Sequence, residues 1–563
     1  MADSNKALIV QSDRTLLLDV HCENAEDARQ AIIPFAELEK SPEHIHTYRI
    51  TPLSLWNAAS AGFTPKDVVK ALKEHSRYEI PDSIMEGFSL LMSRYGKIKM
   101  IQEGDDSSFL YLQIDDEAIR LEISETKTLK KYLTFSSKGF SLHLINRGTV
   151  KRELIRIGWP VQDEAPLAKG EDLEIKFRDT CLSGRHFAAR DYQVTAASAF
   201  GGHGVIVLPC GSGKTIVGML IMSMLKTNTL ILTTNVAAVH QWIDELLDKT
   251  ELTKEQIAEY SGDNKSVAPV TVATYQIISW RPEKGGEFPH FKLFRERAWG
   301  LVVYDEVHLL PAPVFRVTAE LQAIRRLGLT ATLIREDGEE DAVFSLVGPK
   351  RYDVPWKDLE SQGWIAEALC TEIRLDLPQK LRIAYATASR REKYRIAAEN
   401  PLKEDIVLQL IQNHSEEQIL VIGQYLTQLD SLAKLLNAPL ITGKTPNAER
   451  ERIYSRFKKG EVRVIVVSKV ANFAIDLPDA SMAVQVSGSF GSRQEEAQRL
   501  GRILRPKTIK SGNAHRGSNA WFFSLVSGYT AEEEFAANRQ KFLTEQGYKY
   551  TIQKWDINKG NAI

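Results

Sequence analysis

The chain has 563 residues, of which 43% are apolar and 26% charged, and its net charge is −1. At this length a single core is excluded, so we expect three or four domains of roughly 100–200 residues each. The near-zero charge excludes a strongly basic body that coats DNA, so any contact with nucleic acid must be local, in a groove.

Four scattered cysteines, none in a Cys-x-x-Cys pair, indicate neither a disulfide framework nor a structural zinc site, and they argue against an iron–sulfur site. No run of about 18 apolar residues occurs, and residues 1–30 carry no basic-then-apolar leader. We therefore expect a soluble, cytoplasmic protein with no membrane partner.

Residues 1–97 predict a small accessory domain. The pattern favours a strand over 7–20, a helix over 25–38 that is interrupted at Pro34, and helices over 53–61, from Thr64-Pro65 onward, and over 81–95. Two short runs, 97–102 and 109–114, follow as a hairpin or wing. Both a winged-helix domain and a small helical docking domain fit this spacing.

Residues 98–178 predict a second accessory domain with a small α/β fold. Its apolar runs are short, charges of both signs lie between them, and Gly158 and Gly170 mark turns. Its function is not readable from the pattern.

Beyond Phe187, short apolar runs alternate with helical segments, which is typical of a parallel sheet covered by helices on both faces. We predict an α/β fold with two doubly wound lobes, over 179–350 and 351–563, joined near 350–400. The predicted strands are 204–208, 229–233, 270–273 and 301–304 in the first lobe, and 418–423, 439–442, 463–468 and 482–486 in the second.

The segment 204–215 reads as a strand, a glycine-rich turn and the start of a helix. We expect Gly211, Ser212 and Gly213 to surround the phosphates of ATP with backbone N–H groups at a helix N-terminus. Lys214 would reach the β- and γ-phosphates, and Thr215 would bind Mg²⁺. Leu208 stands where the strict pattern has glycine.

A second apolar run, 301–304, ends in two carboxylates. Asp305 is predicted to hold Mg²⁺ and Glu306 to orient and deprotonate the attacking water. His308 would sense hydrolysis. Standing alone, such a pair could equally be a solvated strand end.

Hydroxyls and arginines complete the predicted chemistry. Thr330 and Thr332, after a third strand, would link Asp305 and His308 to the second lobe, although a plain β-turn also fits. On a helix, Arg502 and Arg505 share a face and could reach the γ-phosphate, an arrangement worth about 10³–10⁵ in rate. We also expect Gln498, on the same segment, to act there; a surface helix rich in Arg is the alternative.

Weaker signals lie at other strand ends. Gln193 could recognise adenine through paired hydrogen bonds, with Tyr192 packing nearby. Thr274 and Ser468 lie in strand-end segments whose hydroxyls and backbone amides could hold a DNA backbone, and these segments are 233–242, 271–276, 443–445 and 468–476. Each of these segments could also be a simple loop.

In this order the motifs resemble those of superfamily 2 helicases, and specifically those of the XPB family. Three features support the resemblance to the XPB family. They are Leu-Pro-Cys-Gly-Ser-Gly-Lys-Thr at 208–215, the triplet Arg335-Glu336-Asp337, and the segment 378–401, which is similar to the family's thumb-like insertion. The resemblance implies two RecA-like lobes, strand separation by the triplet, and DNA gripping by the thumb.

The resemblance is strong over 181–523. Residues 98–177 are similar to the family's damage-recognition-like domain, and 1–97 to the amino-terminal domain of its longer members. The fifth motif, 469–478, carries Ala471 and Asn472 where the family usually has Gly-Asp, while Asp476, which we expect to couple DNA to ATP, is present.

The resemblance implies an ATP-dependent 3′-to-5′ DNA helicase of nucleotide excision repair. Its partners would be duplex DNA with single-stranded or bubble regions and a repair nuclease or transcription protein. A double-strand translocase, a DNA-binding scaffold in which ATP is structural, and RNA as the track are the alternatives.

Overall fold

A computed structural model gives the fold, and its contacts divide the chain into two compact units, one mainly before and one mainly after Val354. The structure describes residues 5–40, 44–102, 109–167, 169–209, 211–262, 264–283, 288–311, 314, 318, 324–331, 340–354, 359–360, 362–468, 480–488, 519–545, 549–556 and 561–562.

The first domain is a four-stranded sheet, in the order β1-β2-β4-β3, with four helices. Its elements are β1 Leu8–Val10, β2 Thr15–Asp19, α1 Ala25–Ile32, β3 Glu37–Lys40, β4 Ile45–Arg49, α2 Pro52–Ser60, α3 Pro65–His75 and α4 Asp82–Ser93. Helices α2 and α3 each begin with a capping box and a proline, because Thr51 and Thr64 accept from backbone N–H groups of Ser54 and Asp67. The three later helices were thus predicted correctly, whereas the predicted first strand is a hairpin.

The second domain is a five-stranded sheet in the order β7-β8-β6-β5-β9. Its elements are β5 Ile98–Gln102, β6 Phe109–Gln113, α5 Glu117–Glu125, α6 Lys127–Lys130, β7 Thr134–Ser136, β8 Gly139–His143, α7 Arg147–Arg156 and β9 Val161–Asp163. The hairpin β5–β6 is therefore not a wing of the first domain. Its alternating apolar residues instead fill the core of the second domain, with β9 as the parallel neighbour of β5.

The first lobe is a seven-stranded parallel sheet in the order β12-β13-β11-β14-β15-β10-β16. Its elements are α8 Asp191–Ser198, β10 His203–Val207, α9 Lys214–Leu225, β11 Thr229–Thr233, α10 Val236–Lys249, β12 Ile257–Tyr260, β13 Val270–Thr274, α11 Tyr275–Ile278, α12 Leu293–Glu296, β14 Leu301–Asp305, β15 Arg325–Thr330, α13 Glu340–Leu346 and β16 Lys350–Asp353. Since β16 pairs with β10, the lobe extends slightly past the predicted boundary at 350.

Both accessory domains pack on this lobe. Trp56, Ile155 and Phe344, one residue from each body, form a small apolar cluster. The N–H of Lys350 donates to Asn57 Oδ1 at 2.7 Å, which attaches the first domain to β16. The two domains and the lobe therefore belong to one compact unit.

The second lobe is an eight-stranded sheet in the order β19-β20-β18-β21-β22-β17-β23-β24, parallel except for the pair β23–β24. Its elements are β17 Glu367–Leu375, α14 Gln379–Thr387, α15 Arg390–Ala398, α16 Leu402–Asn413, β18 Ile419–Gly423, α17 Leu426–Leu435, β19 Leu440–Ile441, α18 Asn447–Lys458, β20 Val464–Ser468, β21 Met482–Gln485, β22 Asn519–Ser527, α19 Glu532–Glu545, β23 Lys549–Asp556 and β24 Asn561–Ala562.

The prediction of two doubly wound α/β lobes is confirmed, and each predicted strand of both lobes is a strand here, within one or two residues at its ends. The segment predicted as a thumb-like insertion is the helix pair α14–α15, whose Tyr385 hydroxyl accepts from the N–H of Ala531 at 2.7 Å. Among the described residues, no helix is long and apolar enough to cross a membrane.

A buried ion pair stabilises the second lobe. Lys403 is fully buried, and its Nζ donates to Glu532 at 2.9 and 3.0 Å and to the carbonyl of Val486 at 2.8 Å. Replacing Lys403 with Met leaves the carboxylate of Glu532 without its cation, which typically costs about 3–5 kcal/mol.

We expect Lys403→Met to lower the free energy of opening by this amount, measured by hydrogen exchange of the β18 and β22 amides in increasing urea. The matched control is Lys434→Met, which removes an exposed pair with Asp430. Such exposed pairs contribute under about 1 kcal/mol, so equal losses in the two variants would contradict the assignment.

Candidate nucleotide site

The predicted phosphate loop follows β10 at the carboxyl edge of the first sheet. Leu208 N–H donates to the carbonyl of Thr330 at 2.9 Å, which fixes the start of the loop to β15. Gly211 and Gly213 have φ angles of +80° and +82°, a region that side chains rarely adopt. A Cβ on Gly213 would also lie 2.6 Å from Gln193 Nε2, at the end of a side chain that can shift, so it is the backbone conformation that favours glycine there.

The loop delivers Lys214 and Thr215 to the first turn of α9. Lys214 Nζ lies 3.3 Å from Glu306 Oε1, and both side chains are largely buried, at 12% and 18% exposure. Helix α9 has its amino-terminal end at this point, so its backbone adds positive potential for an anion.

Asp305 and Glu306 end β14 at the same edge of the sheet. Glu306 has a φ of +51° and a ψ of 55°, in the left-handed region, which is uncommon outside glycine and costs on the order of 1 kcal/mol or more. Among the described residues, Glu306 Oε2 is buried and has no hydrogen-bond donor. With this backbone conformation, the carboxylate of Glu306 lies beside Lys214.

Asp305 is held by hydrogen bonds on both carboxylate oxygens. Trp242 Nε1 donates to Oδ2 at 2.9 Å, and the N–H of Glu306 donates to Oδ1 at 3.1 Å. The Tyr275 hydroxyl donates to the carbonyl of Asp305 at 2.9 Å. These contacts fix both the side chain and the backbone at the strand end.

The pKa values of the two carboxyl groups are shifted in opposite directions. Burial, together with the neighbouring charge of Glu306, raises the pKa of Asp305 to about 6. Burial also disfavours the charged form of Glu306, but Lys214, His308 and the backbone of Ala331 together outweigh it, so the pKa of that carboxyl lies below its ordinary value. A bound cation near Asp305 would therefore be favoured, because it would relieve the cost of ionising a buried acid.

His308 and Thr330 form a second contact at this edge. His308 Nδ1 and Thr330 Oγ1 are hydrogen-bonded, and both side chains are buried. His308 Nδ1 also lies 3.5 Å from Glu306 Oε2. The structure thus places His308, the predicted sensor, and Thr330, the predicted linker, beside Glu306, the predicted base.

Gln193 lies beside the loop but is engaged locally. Its Oε1 accepts from the N–H of Arg190 at 3.0 Å, and the side chain is buried. The Arg190 guanidinium donates to the Tyr192 hydroxyl at 3.2 Å. Recognition of adenine by Gln193 remains a prediction.

Of the remaining predicted residues, some are buried in the part of the chain that the structure describes, and the others lie outside it. Thr274 caps α11 by accepting from Ile277 N–H at 3.2 Å and is buried, as is Ser468 at the end of β20, so contact with DNA by either residue remains a prediction. Ser212 is buried, with its hydroxyl donating to the carbonyl of Pro209 at 2.7 Å. Thr332, Arg335, Glu336, Asp337, Asp476, Gln498, Arg502 and Arg505 lie outside the described residues.

The donors at this edge suit magnesium. The described residues contain no cluster of three or more His, Cys, Asp or Glu side chains that would form an all-protein metal site. Magnesium beside a nucleotide needs only one or two carboxylates, with phosphates and water as its other ligands. The partly buried carboxylate of Asp305 and the hydroxyl of Thr215 are donors of this kind.

Trp242 and Tyr275 were not predicted to act at this site. Both lie within segments that the sequence assigned to DNA contact, 233–242 and 271–276. Trp242 lies on the buried face of α10 with Val239 and Leu246, so its sequence pattern indicates only a core residue, and nothing in it indicated the contact with Asp305, 63 residues away.

Three family models match the chain: "ERCC3/RAD25/XPB C-terminal helicase" over residues 359–560, "Type III restriction enzyme, res subunit" over 186–335, and "Helicase conserved C-terminal domain" over 8–137. The last match covers the first domain and much of the second, neither of which is a parallel-sheet lobe.

The chain is 50% identical to "DNA 3'-5' helicase XPB" of Kineococcus radiotolerans, over 99% of this chain and 98% of the relative. It is 51% identical to the protein of the same name in Mycobacterium tuberculosis, over 99% of both chains. A protein of Encephalitozoon cuniculi named "General transcription and DNA repair factor IIH helicase/translocase subunit XPB" is 33% identical, over 96% of this chain and 82% of the relative. The chain therefore belongs to the XPB family of ATP-dependent DNA helicases.

Proposed function

We propose that this chain opens duplex DNA in the 3′-to-5′ direction, and that it does so in nucleotide excision repair. The observation that carries the motor chemistry is the convergence of Lys214, Asp305 and Glu306 at one edge of the first sheet. The polarity is supported by the names of the two bacterial relatives, and the repair role by the name of the microsporidian one.

The proposed chemistry assigns one task to each group. Lys214 exchanges Glu306 for the β- and γ-phosphates of ATP, which releases the carboxylate of Glu306 to orient and deprotonate a water molecule. Magnesium, bound by Thr215 and Asp305, would neutralise charge on the phosphates. Gln498, Arg502 and Arg505 would complete the site by stabilising charge on the γ-phosphate.

The remaining proposed roles concern DNA. The triplet Arg335, Glu336 and Asp337 separates the strands, and Thr274 and Ser468 contact the backbone. His308, Thr330, Thr332 and Asp476 couple hydrolysis to this movement. The proposed substrate is a duplex with a single-stranded or bubble region, delivered to or from a repair nuclease or transcription protein.

A second candidate is translocation on double-stranded DNA without processive unwinding. The specific observation in its favour is the word "translocase" in the name of the Encephalitozoon cuniculi relative. Opening and translocation use the same ATP chemistry and differ only in what happens to the strands.

Two substitutions test the nucleotide chemistry. Lys214→Ala should abolish DNA-stimulated ATPase by removing the phosphate contact. Glu306→Gln should lower turnover by about 10²–10⁴-fold while ATP binding persists, because only the base is lost. Steady-state ATPase and binding of a fluorescent ATP analogue measure the two effects. Lys226→Ala, at the exposed end of the same helix, is the control and should be unchanged. Turnover by Lys214→Ala would refute the site.

Substitution of the triplet tests strand separation. Arg335→Ala should retain most of the DNA-stimulated ATPase and lose most of the unwinding of a forked duplex, because the contact with the strands is separate from the phosphate chemistry. Both rates are measured on the same DNA. Parallel loss of ATPase and unwinding would show that Arg335 serves the motor itself.

Polarity and mode of action are separated by choice of DNA. We expect unwinding of 3′-tailed and bubble duplexes and little unwinding of 5′-tailed ones, measured by release of a labelled strand. A triplex-displacement assay on blunt duplex is run beside it. Displacement of the third strand without unwinding of any tailed duplex would favour the translocase, and stimulation of ATPase by RNA of the same sequence would contradict DNA as the track.

A further inference from the structure

We infer that Trp242 is a positioning residue, which holds the carboxylate of Asp305 in the orientation needed to bind the metal of the nucleotide. This inference rests on the proposed ATP hydrolysis and extends it to a residue that touches neither nucleotide nor metal.

The contact is direct and shielded from water. Trp242 is 1% exposed, and its indole N–H donates to Asp305 Oδ2 at 2.9 Å. The other oxygen, Oδ1, accepts from the N–H of Glu306 at 3.1 Å. With a donor on each oxygen the carboxyl plane cannot rotate freely, and each oxygen still has an acceptor position for the metal or its water.

The indole is itself fixed by the helix that begins at the phosphate loop. A Cβ on Gly218 would lie 2.6 Å from Cη2 of Trp242, and 3.3 Å from Leu329. Helix α9 can therefore approach the indole this closely only with glycine at 218. The indole thus lies against both the helix that carries Lys214 and the carboxylate of Asp305.

The chemistry of tryptophan suits this role. Its N–H is a donor only, so it cannot bind the metal or accept a proton, unlike a histidine at the same place. Groups that hydrogen-bond to a metal ligand usually change metal affinity or activity by about 10–100-fold when they are removed. Tyr275 fixes the backbone carbonyl of Asp305, so the contact of the indole with Asp305 concerns the carboxylate and not the backbone.

The test uses the full-length chain and a matched pair of substitutions. Trp242→Phe keeps an aromatic ring and removes the N–H. Trp299→Phe is the control, because Trp299 is also 1% exposed in the same lobe and its Nε1 donates at 2.9 Å to the carbonyl of Leu293, away from Asp305. Both variants lose one buried hydrogen bond and a similar volume.

The first measurement is binding of Mn²⁺, as a substitute for Mg²⁺, in the presence of ADP, followed by the electron paramagnetic resonance signal of the free ion. We expect Trp242→Phe to weaken Mn²⁺ binding by about 10–100-fold and Trp299→Phe to leave it unchanged. Binding of ADP without metal should be the same in all three proteins.

The second measurement is ATPase rate against Mg²⁺ concentration. Trp242→Phe should need more Mg²⁺ for half-maximal rate and recover most of its kcat at saturation, since the catalytic groups are intact. A fall in kcat with unchanged Mg²⁺ dependence would assign the residue to packing and overturn the inference.

The remaining outcomes separate this inference from the proposed function. If Asp305→Asn weakens Mn²⁺ binding and Trp242→Phe does not, or if both Trp variants weaken it equally, only the role of Trp242 is refuted. If Asp305→Asn leaves Mn²⁺ binding unchanged, the metal site is misplaced and the role of Trp242 is refuted with it.

Discussion

The parallel pairing of β10, β15 and β14 is the constraint on which the nucleotide site depends. Parallel strands joined by helices end at one edge of their sheet, and ligands of open α/β sheets bind outside that edge. The phosphate loop follows β10, Thr330 ends β15 and Asp305 ends β14. Residues that are far apart in the sequence therefore meet at this edge.

This convergence places two successive carboxylates in a buried position, which is unfavourable unless a cation is near. Lys214 supplies that cation to Glu306, whereas burial keeps the pKa of Asp305 raised. A phosphate that binds Lys214 competes with Glu306 for the same ammonium group, and a metal ion beside Asp305 offsets the cost of its burial. Occupation of the site by nucleotide and metal together is thus electrostatically self-consistent.

The sequence predicted those parts of the fold and site that depend on residues adjacent in the chain. The phosphate loop, the carboxylate pair and the central strands each show as a short run with its own composition, so their elements were placed within a residue or two. The strand β17, Glu367–Leu375, was missed because it lies in the stretch 350–400, which was interpreted as the junction between the lobes. Its Glu372 is buried in contact with Arg374 and Tyr550, a contact between distant residues that the sequence does not show.

What the sequence could not show are contacts between distant residues. The hairpin β5–β6 was interpreted as a possible wing of the first domain because its other partner, β9, lies far along the chain. The contact between Trp242 and Asp305 was missed for the same reason. Local pattern predicts which side chains exist at a strand end, but not which neighbour orients them.

The same strands lie near charged residues of the second domain at their opposite ends. Asp163 accepts from Arg147 at 2.7 Å and from Lys151 at 2.9 Å, with all three side chains buried. Burial lowers the pKa of Lys151 to about 8, and burial with nearby Lys151 and Arg326 lowers the pKa of His203 to about 2, so His203 stays neutral. His203 begins β10, and Arg326 lies near the start of β15.

The carboxylate of Asp163 is compensated within its own domain by Arg147 and Lys151, whereas His203 and Arg326 belong to the lobe. The positive charges of Lys151 and Arg326 lower the pKa of His203 and the charge of Asp163 raises it, so the second domain acts on His203 through its charges. The strands that carry the phosphate loop and Thr330 at one end therefore lie near an accessory domain at the other. The neutral state of His203, at the start of β10, thus depends in part on that domain.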